Sequence, residues 1–126
     1  MSDDPTHDLD NISLLDHGLK LRLLHDEVGD EIRLIVDKFL EILPIRLQTL
    51  RAYHAAGDTV NFTIEAHRLK GAAATLGAER MGALCAHLEA RAKTGILPDP
   101  RQLQRLTEMA PRVAEAMNHI VRHFRV

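Results

Sequence analysis

The chain of 126 residues has one cysteine, no tryptophan and only four aromatic residues. The lone cysteine, Cys85, excludes an intrachain disulfide and every Cys-x-x-Cys zinc motif, and it is compatible with a reducing cytoplasm. Phe39, Tyr53, Phe62 and Phe124 are too few and too scattered for a base-stacking platform. Neither sign of charge dominates: 16 Lys+Arg face 18 Asp+Glu. The basic stripe of a nucleic-acid binder is therefore missing. No apolar run approaches the ~18 residues that would span a membrane. Residues 1–10 lack the basic-then-apolar pattern of a secretory signal. No Val/Ile/Thr-rich alternating stretch occurs, which argues against strands. Neither a Gly-x-x-x-x-Gly-Lys nor a Gly-x-Gly-x-x-Gly loop is present, so nothing argues for ATP binding or kinase chemistry. What remains is a cytoplasmic single domain, long enough to bury a real core. Against these shortages stands one abundance, eight histidines.

Residues 1–11 are acidic, contain Pro5 and read as a flexible tail. Residues 12–126 read as one domain, and Met1 with the acidic tail as a free-standing protein. Five helical patterns follow. The first spans about residues 14–28, with Leu15, Leu19, Leu23, Leu24 and Val28 on its apolar side. The second begins after Asp30, with Ile32, Val36, Phe39, Leu43, Leu47, Leu50 and Tyr53 at helical spacing. Pro44 should bend or divide it. Gly57 ends it, and Asp58 is an N-cap for the next. The third, about residues 59–76, carries Phe62, Ala66, Leu69, Ala73 and Leu76, and Gly77 stops it. The fourth, about residues 79–93, carries Met81, Leu84, Cys85, Leu88 and Ala92, and Gly95 closes it. Asp99 and Pro100 open the fifth as N-cap and first helical residue. Its stripe runs from Leu103 to Phe124, with Pro111 expected to kink it. One apolar stripe per helix and short connections predict an all-α fold: an antiparallel four-helix bundle with an additional short N-terminal helix. Four long helices can close a core alone, so the chain reads as a monomer.

The informative stretch is Ala66-His67-Arg68-Leu69-Lys70-Gly71-Ala72-Ala73-Ala74-Thr75-Leu76-Gly77-Ala78. At about 100° per residue, the apolar stripe fixes the buried direction and turns His67 outward. Lys70, Gly71 and Ala74 share its face. A glycine inside a helix costs roughly 1 kcal/mol relative to alanine. Either Gly71 lets a neighbouring helix approach closely, or it clears space for a second protein to bring a reactive group to the imidazole. A neutral imidazole is a good nucleophile near neutral pH. A lysine one turn away would offset new negative charge on a phosphorylated ring.

These residues resemble a known family. His67-x-Leu69-Lys70-Gly71, then Leu76-Gly77-Ala78, then Leu84-Cys85-x-x-Leu88-Glu89, is similar to the histidine-containing phosphotransfer (HPt) domain. The resemblance covers about residues 12–125. It implies a four-helix bundle that carries a phosphoryl group on an exposed histidine, between receiver domains of response regulators or hybrid histidine kinases. On this resemblance His67 is the phosphoacceptor, Lys70 stabilises the phosphoryl group and Gly71 gives the receiver access. Glu89 stands where the family often has a polar residue that orients the imidazole, and Lys93 is a further phosphate contact. No cofactor is implied for this chain, since the receiver brings its own carboxylates and Mg²⁺. Ala72 and Ala73 depart from the pattern, standing where relatives often have serines. The alternative is an adaptor that keeps the bundle and the docking face but carries no phosphate.

Other candidates are weaker. His119 and His123 are spaced for a metal, but the sequence places no third ligand, and histidines in a last helical turn also interact favourably with the helix dipole. No glutamate stands three residues before any histidine, which argues against a di-iron bundle. Cys85, Met81, Met109 and Met117 read as core. A dimeric histidine-kinase hairpin usually follows its histidine with Glu-Leu-Arg-Thr-Pro, which is not found here.

Overall fold

The computed structural model describes residues 7–124. After a 3-10 turn (His7–Asn11) come five helices: α1 (Leu19–Val28), α2 (Glu31–Ala55), α3 (Thr59–Thr75), α4 (Glu79–Lys93) and α5 (Pro100–Arg122). No strand occurs among the described residues. α2 packs on α3 and α5, α4 packs on the same two, and α1 lies against α2. This closed ring of α2–α5 is the expected four-helix bundle, with α1 as the additional short helix.

The predicted stripes of α3 and α4 are buried throughout, from Phe62 to Leu76 and from Met81 to Ala92. They meet Val36, Leu50, Leu106, Val113 and Met117 in one core. Asp58 caps α3, its carboxylate accepting from the Asn61 backbone N–H at 3.0 Å and from the Asn61 side chain at 2.7 Å. Those bonds hold the Asp58 carboxyl below its usual range. Asp99 caps α5 by accepting from the Arg101 N–H at 2.9 Å, and Pro100 opens the helix. Pro44 and Pro111 both sit inside continuous helices, so neither divides its helix.

One expectation needs correcting. The first helix starts at Leu19, not near Leu14. His17 and Gly18 both have positive φ, 59° and 75°, which breaks any helix running through them. The spacing Leu15–Leu19–Leu23 therefore runs across a non-helical bend. Leu19 and Leu23 are exposed, and Leu21 is the buried residue of α1. Of the tail expected at residues 1–11, residues 1–6 lie outside the described residues and the 3-10 turn follows them. Leu9 packs against the core. Asp10 pairs with Arg105 at 3.3 Å, and Arg80 Nε donates to the Ile12 carbonyl at 2.7 Å. These partners are 68 and 95 residues away, so the local acidic composition gave no sign of them.

Candidate functional site

His67 projects from the middle of α3 with a side-chain exposure of 65%. Its helix is held at both ends. Asp58 caps the start. At the other end Gly77, at φ +78°, turns the chain so that the Ala78 N–H reaches the Ala73 carbonyl at 2.9 Å. The segment before α1 and the first turn of α1 clamp this turn. The Asp16 N–H donates to the Gly77 carbonyl at 3.0 Å, and Lys20 Nζ donates to the Ala74 carbonyl at 2.9 Å.

Small buried residues line the contact between α3 and α4. Ala66, Ala73, Cys85 and Ala92 are all buried. A Cβ added to Gly82 would touch the Ala73 methyl at 4.0 Å. The helices therefore approach closely enough for one carboxylate to bridge them. That carboxylate is Glu89 on α4, with a side-chain exposure of 5%. His67 Nδ1 lies 2.9 Å from Glu89 Oε2. Lys70 Nζ lies 2.6 Å from Oε1, and Lys93 Nζ 3.3 Å from Oε2. The Lys70 ammonium, with help from His67 and Lys93, holds the Glu89 carboxyl at about 2, although burial pushes the other way. Glu89 is thus ionised at neutral pH and can only accept hydrogen bonds. The bond at 2.9 Å then requires that Nδ1 carry the proton. With a proton fixed on Nδ1, Nε2 is the ring nitrogen left to act as nucleophile.

The five residues singled out from the sequence thus stand together, but with a different division of contacts. Lys70 and Lys93 both rest on Glu89. Gly71 is in open space, for a Cβ built there meets nothing within 4 Å. That removes the reading in which Gly71 admits a neighbouring helix of this chain. Ala72 and Ala73 have separate surroundings. Ala73 is buried against α4, and Ala72 lines an apolar groove between α2 and α3. Cys85 is buried and its thiol is pushed up to about 12, first by burial and then by the Glu89 charge. His123 Nδ1 stands 2.6 Å from the His119 carbonyl oxygen, and the two rings lie 4.4 Å apart.

Two features went unread in the sequence. Val60 and Ile64 are exposed and lie seven and three residues before His67, so its face continues as an apolar strip. The spacing 60, 64, 67, 71, 74 held that signal. The other feature is Glu65, buried between α2 and α3 and paired with Arg46 at 2.9 Å and Arg68 at 3.7 Å. It lies three residues after Phe62 and four before Leu69, so a carboxylate interrupts the apolar side of the helix. On the side of α3 away from α4, the groove is walled by Leu34, Ile35, Phe39 and Ile42, with Lys38 and Arg46 also lining it.

Comparison with known proteins bears on the family and the fold. The Hpt domain family model matches residues 34–116. No curated protein matches the sequence. Among solved structures, the chain is similar to histidine-containing phosphotransfer protein B (HptB) from Pseudomonas aeruginosa PAO1. The identity is 26% and the TM-score 0.82, over 90% of this chain and 99% of the other. The chain belongs to the Hpt domain family.

Proposed function

We propose that this protein carries a phosphoryl group on His67 in a multistep phosphorelay, taking it from an aspartyl phosphate of one receiver domain and passing it to another. The observation that carries this reading is the outward imidazole whose Nδ1 is fixed by an ionised carboxylate. In the forward step Nε2 attacks phosphorus, the N–P bond forms, and the P–O bond to the aspartate breaks. The aspartate leaves as a carboxylate, and the Nδ1 proton stays on the bond to Glu89. The reverse of this step loads the next receiver.

The chain's own contribution is position and charge. In-line phosphoryl transfer needs alignment and neutralisation more than covalent machinery. Glu89 orients the ring. Lys70 and Lys93 together carry one more positive charge than Glu89 removes, and Lys93 is exposed enough to swing toward a phosphoryl group. Gly71 leaves the approach open. The receiver supplies Mg²⁺ and its own carboxylates. It docks on the His67 face and the adjoining α2–α3 groove, where apolar surface is bordered by charge.

The test is transfer from a phosphorylated receiver domain to purified protein. Wild type should gain an acid-labile phosphate and His67→Gln should gain none. Label on His67→Gln would refute the assignment. Receiver binding without any label on wild type would favour the adaptor.

A further inference from the structure

We infer that Glu65 is a positioning residue for partner recognition: it holds Arg46 at the α2–α3 groove, with Arg68 close by, so that the protein prefers receivers presenting a carboxylate next to the apolar ridge they insert there. This rests on the proposed phosphorelay role only for the identity of the partner.

Glu65 takes no part in the phosphate chemistry. Its contacts are Arg46 of α2 and Arg68, whereas His67, Lys70 and Lys93 gather on Glu89. Burying a carboxylate is costly unless it is paired, and an apolar residue of similar size often packs as well or better. A role in packing alone therefore explains Glu65 poorly. Its geometry explains more. It accepts from Arg46 Nη1 and stands near Arg68 Nη1. A guanidinium has five N–H donors in a rigid fork, so each arginine keeps donors to offer elsewhere. Arg46 lines the groove, and Arg68 follows His67 directly and is largely exposed. One carboxylate against two guanidiniums leaves a surplus positive charge. Lys38 adds to it, and among the described residues no carboxylate lines the groove. An apolar trough with cations at its border fits an apolar ridge flanked by acid. Charge at such a border governs which partner is accepted and how fast it arrives.

The experiment uses a panel of purified receiver domains, with the receiver that binds wild type most tightly as the probe. Titration calorimetry gives Kd at low and moderate salt for wild type, Arg46→Ala, Arg46→Lys and Glu65→Gln. Transfer to His67 is measured in parallel. Arg46→Ala should weaken binding about fivefold to tenfold and flatten its salt dependence. Arg46→Lys should restore part of the salt dependence, and Glu65→Gln should resemble Arg46→Ala. A merely structural role would lower the unfolding temperature without changing the salt slope of Kd. Wild-type Kd and salt slope in folded Arg46→Ala overturn the inference, even if Glu65→Gln fails to fold. If no receiver labels wild type but binding still depends on Arg46, the phosphorelay reading falls and the inference stands.

Discussion

Replacing Gly71 with alanine should make the protein more stable and its phosphotransfer slower. Gly71 lies inside α3, where glycine costs helix stability through backbone entropy. A Cβ there meets nothing within 4 Å, so no clash offsets the gain. The expected stabilisation is about 1 kcal/mol. Unfolding entropy for 126 residues, at roughly 2 cal/mol/K per residue, converts this to about 4 °C in Tm. Gly71→Leu should also fold, since leucine is a good helix former and the site is open. It should slow transfer by about tenfold or more, because a branched side chain one turn from His67 occupies the space the receiver needs. Gly77→Ala is the control with the opposite sign. Gly77 has φ +78°, and its Cβ would stand 2.5–2.6 Å from the Asp16 carboxylate. The left-handed conformation costs about 1–2 kcal/mol, and moving Asp16 also breaks its bond to the Lys20 N–H at 3.2 Å. Thermal unfolding followed by circular dichroism and receiver-to-protein transfer rates read both effects. A fall in Tm for Gly71→Ala would show a structural role that the geometry does not contain. Transfer at the wild-type rate by Gly71→Leu would refute the argument that the open face exists for a partner.

Two further outcomes follow from the buried residues. Glu89→Gln should slow loading of His67 by about tenfold or more, since a charge-assisted bond to the imidazole is weakened and the Nδ1 proton is no longer dictated. The same variant gives a pH signature. The Glu89 carboxyl sits at about 2 against an ordinary 4.5, so its stabilising share is complete above about 4.5 and is lost as pH falls toward 2. Wild type and Glu89→Gln should therefore differ most in Tm at pH 5–7 and converge near pH 2. A constant difference across that range would refute the linkage. Phe62→Ala, which empties a fully buried site in α3, should lose about 3–5 kcal/mol by denaturant titration. A loss under about 1 kcal/mol would mean that α3 is not anchored there.

The bundle was legible because each long helix repeats apolar residues at three- and four-residue steps and stops at a glycine or a cap. α3 and α4 were the clearest, their stripes being buried as read. α1 was misread for the same reason that the others succeeded. Periodicity continues across a bend just as it does along a helix, and only the backbone reveals that His17 and Gly18 turn left-handed. The outward face of His67, with Lys70 and Gly71 on it, followed from phase alone. The contacts of Glu89 could not be counted from spacing. They depend on how closely α3 and α4 approach, which small side chains such as Ala73 and Gly82 decide across the interface. Glu65 was not legible, because a single carboxylate beside an apolar stripe reads as solvated until the fold sets Arg46 against it.

Placing Glu89 beside His67 looks at first like a handicap, since the imidazole is proposed to receive an anionic group. The charges around it resolve this. Lys70 and Lys93 outnumber Glu89, so the empty site keeps one net positive charge. A phosphoryl group brings a charge of roughly −2, which the site meets only in part. Without Glu89 the two lysines would be free to bind it fully, and nothing would fix the ring. A carrier must release what it accepts, so holding the phosphoryl group too tightly would stall the second transfer. Glu89 both sets the tautomer that exposes Nε2 and draws off part of the lysine charge. Under the proposed phosphorelay role, one buried carboxylate favours loading through geometry and unloading through electrostatics.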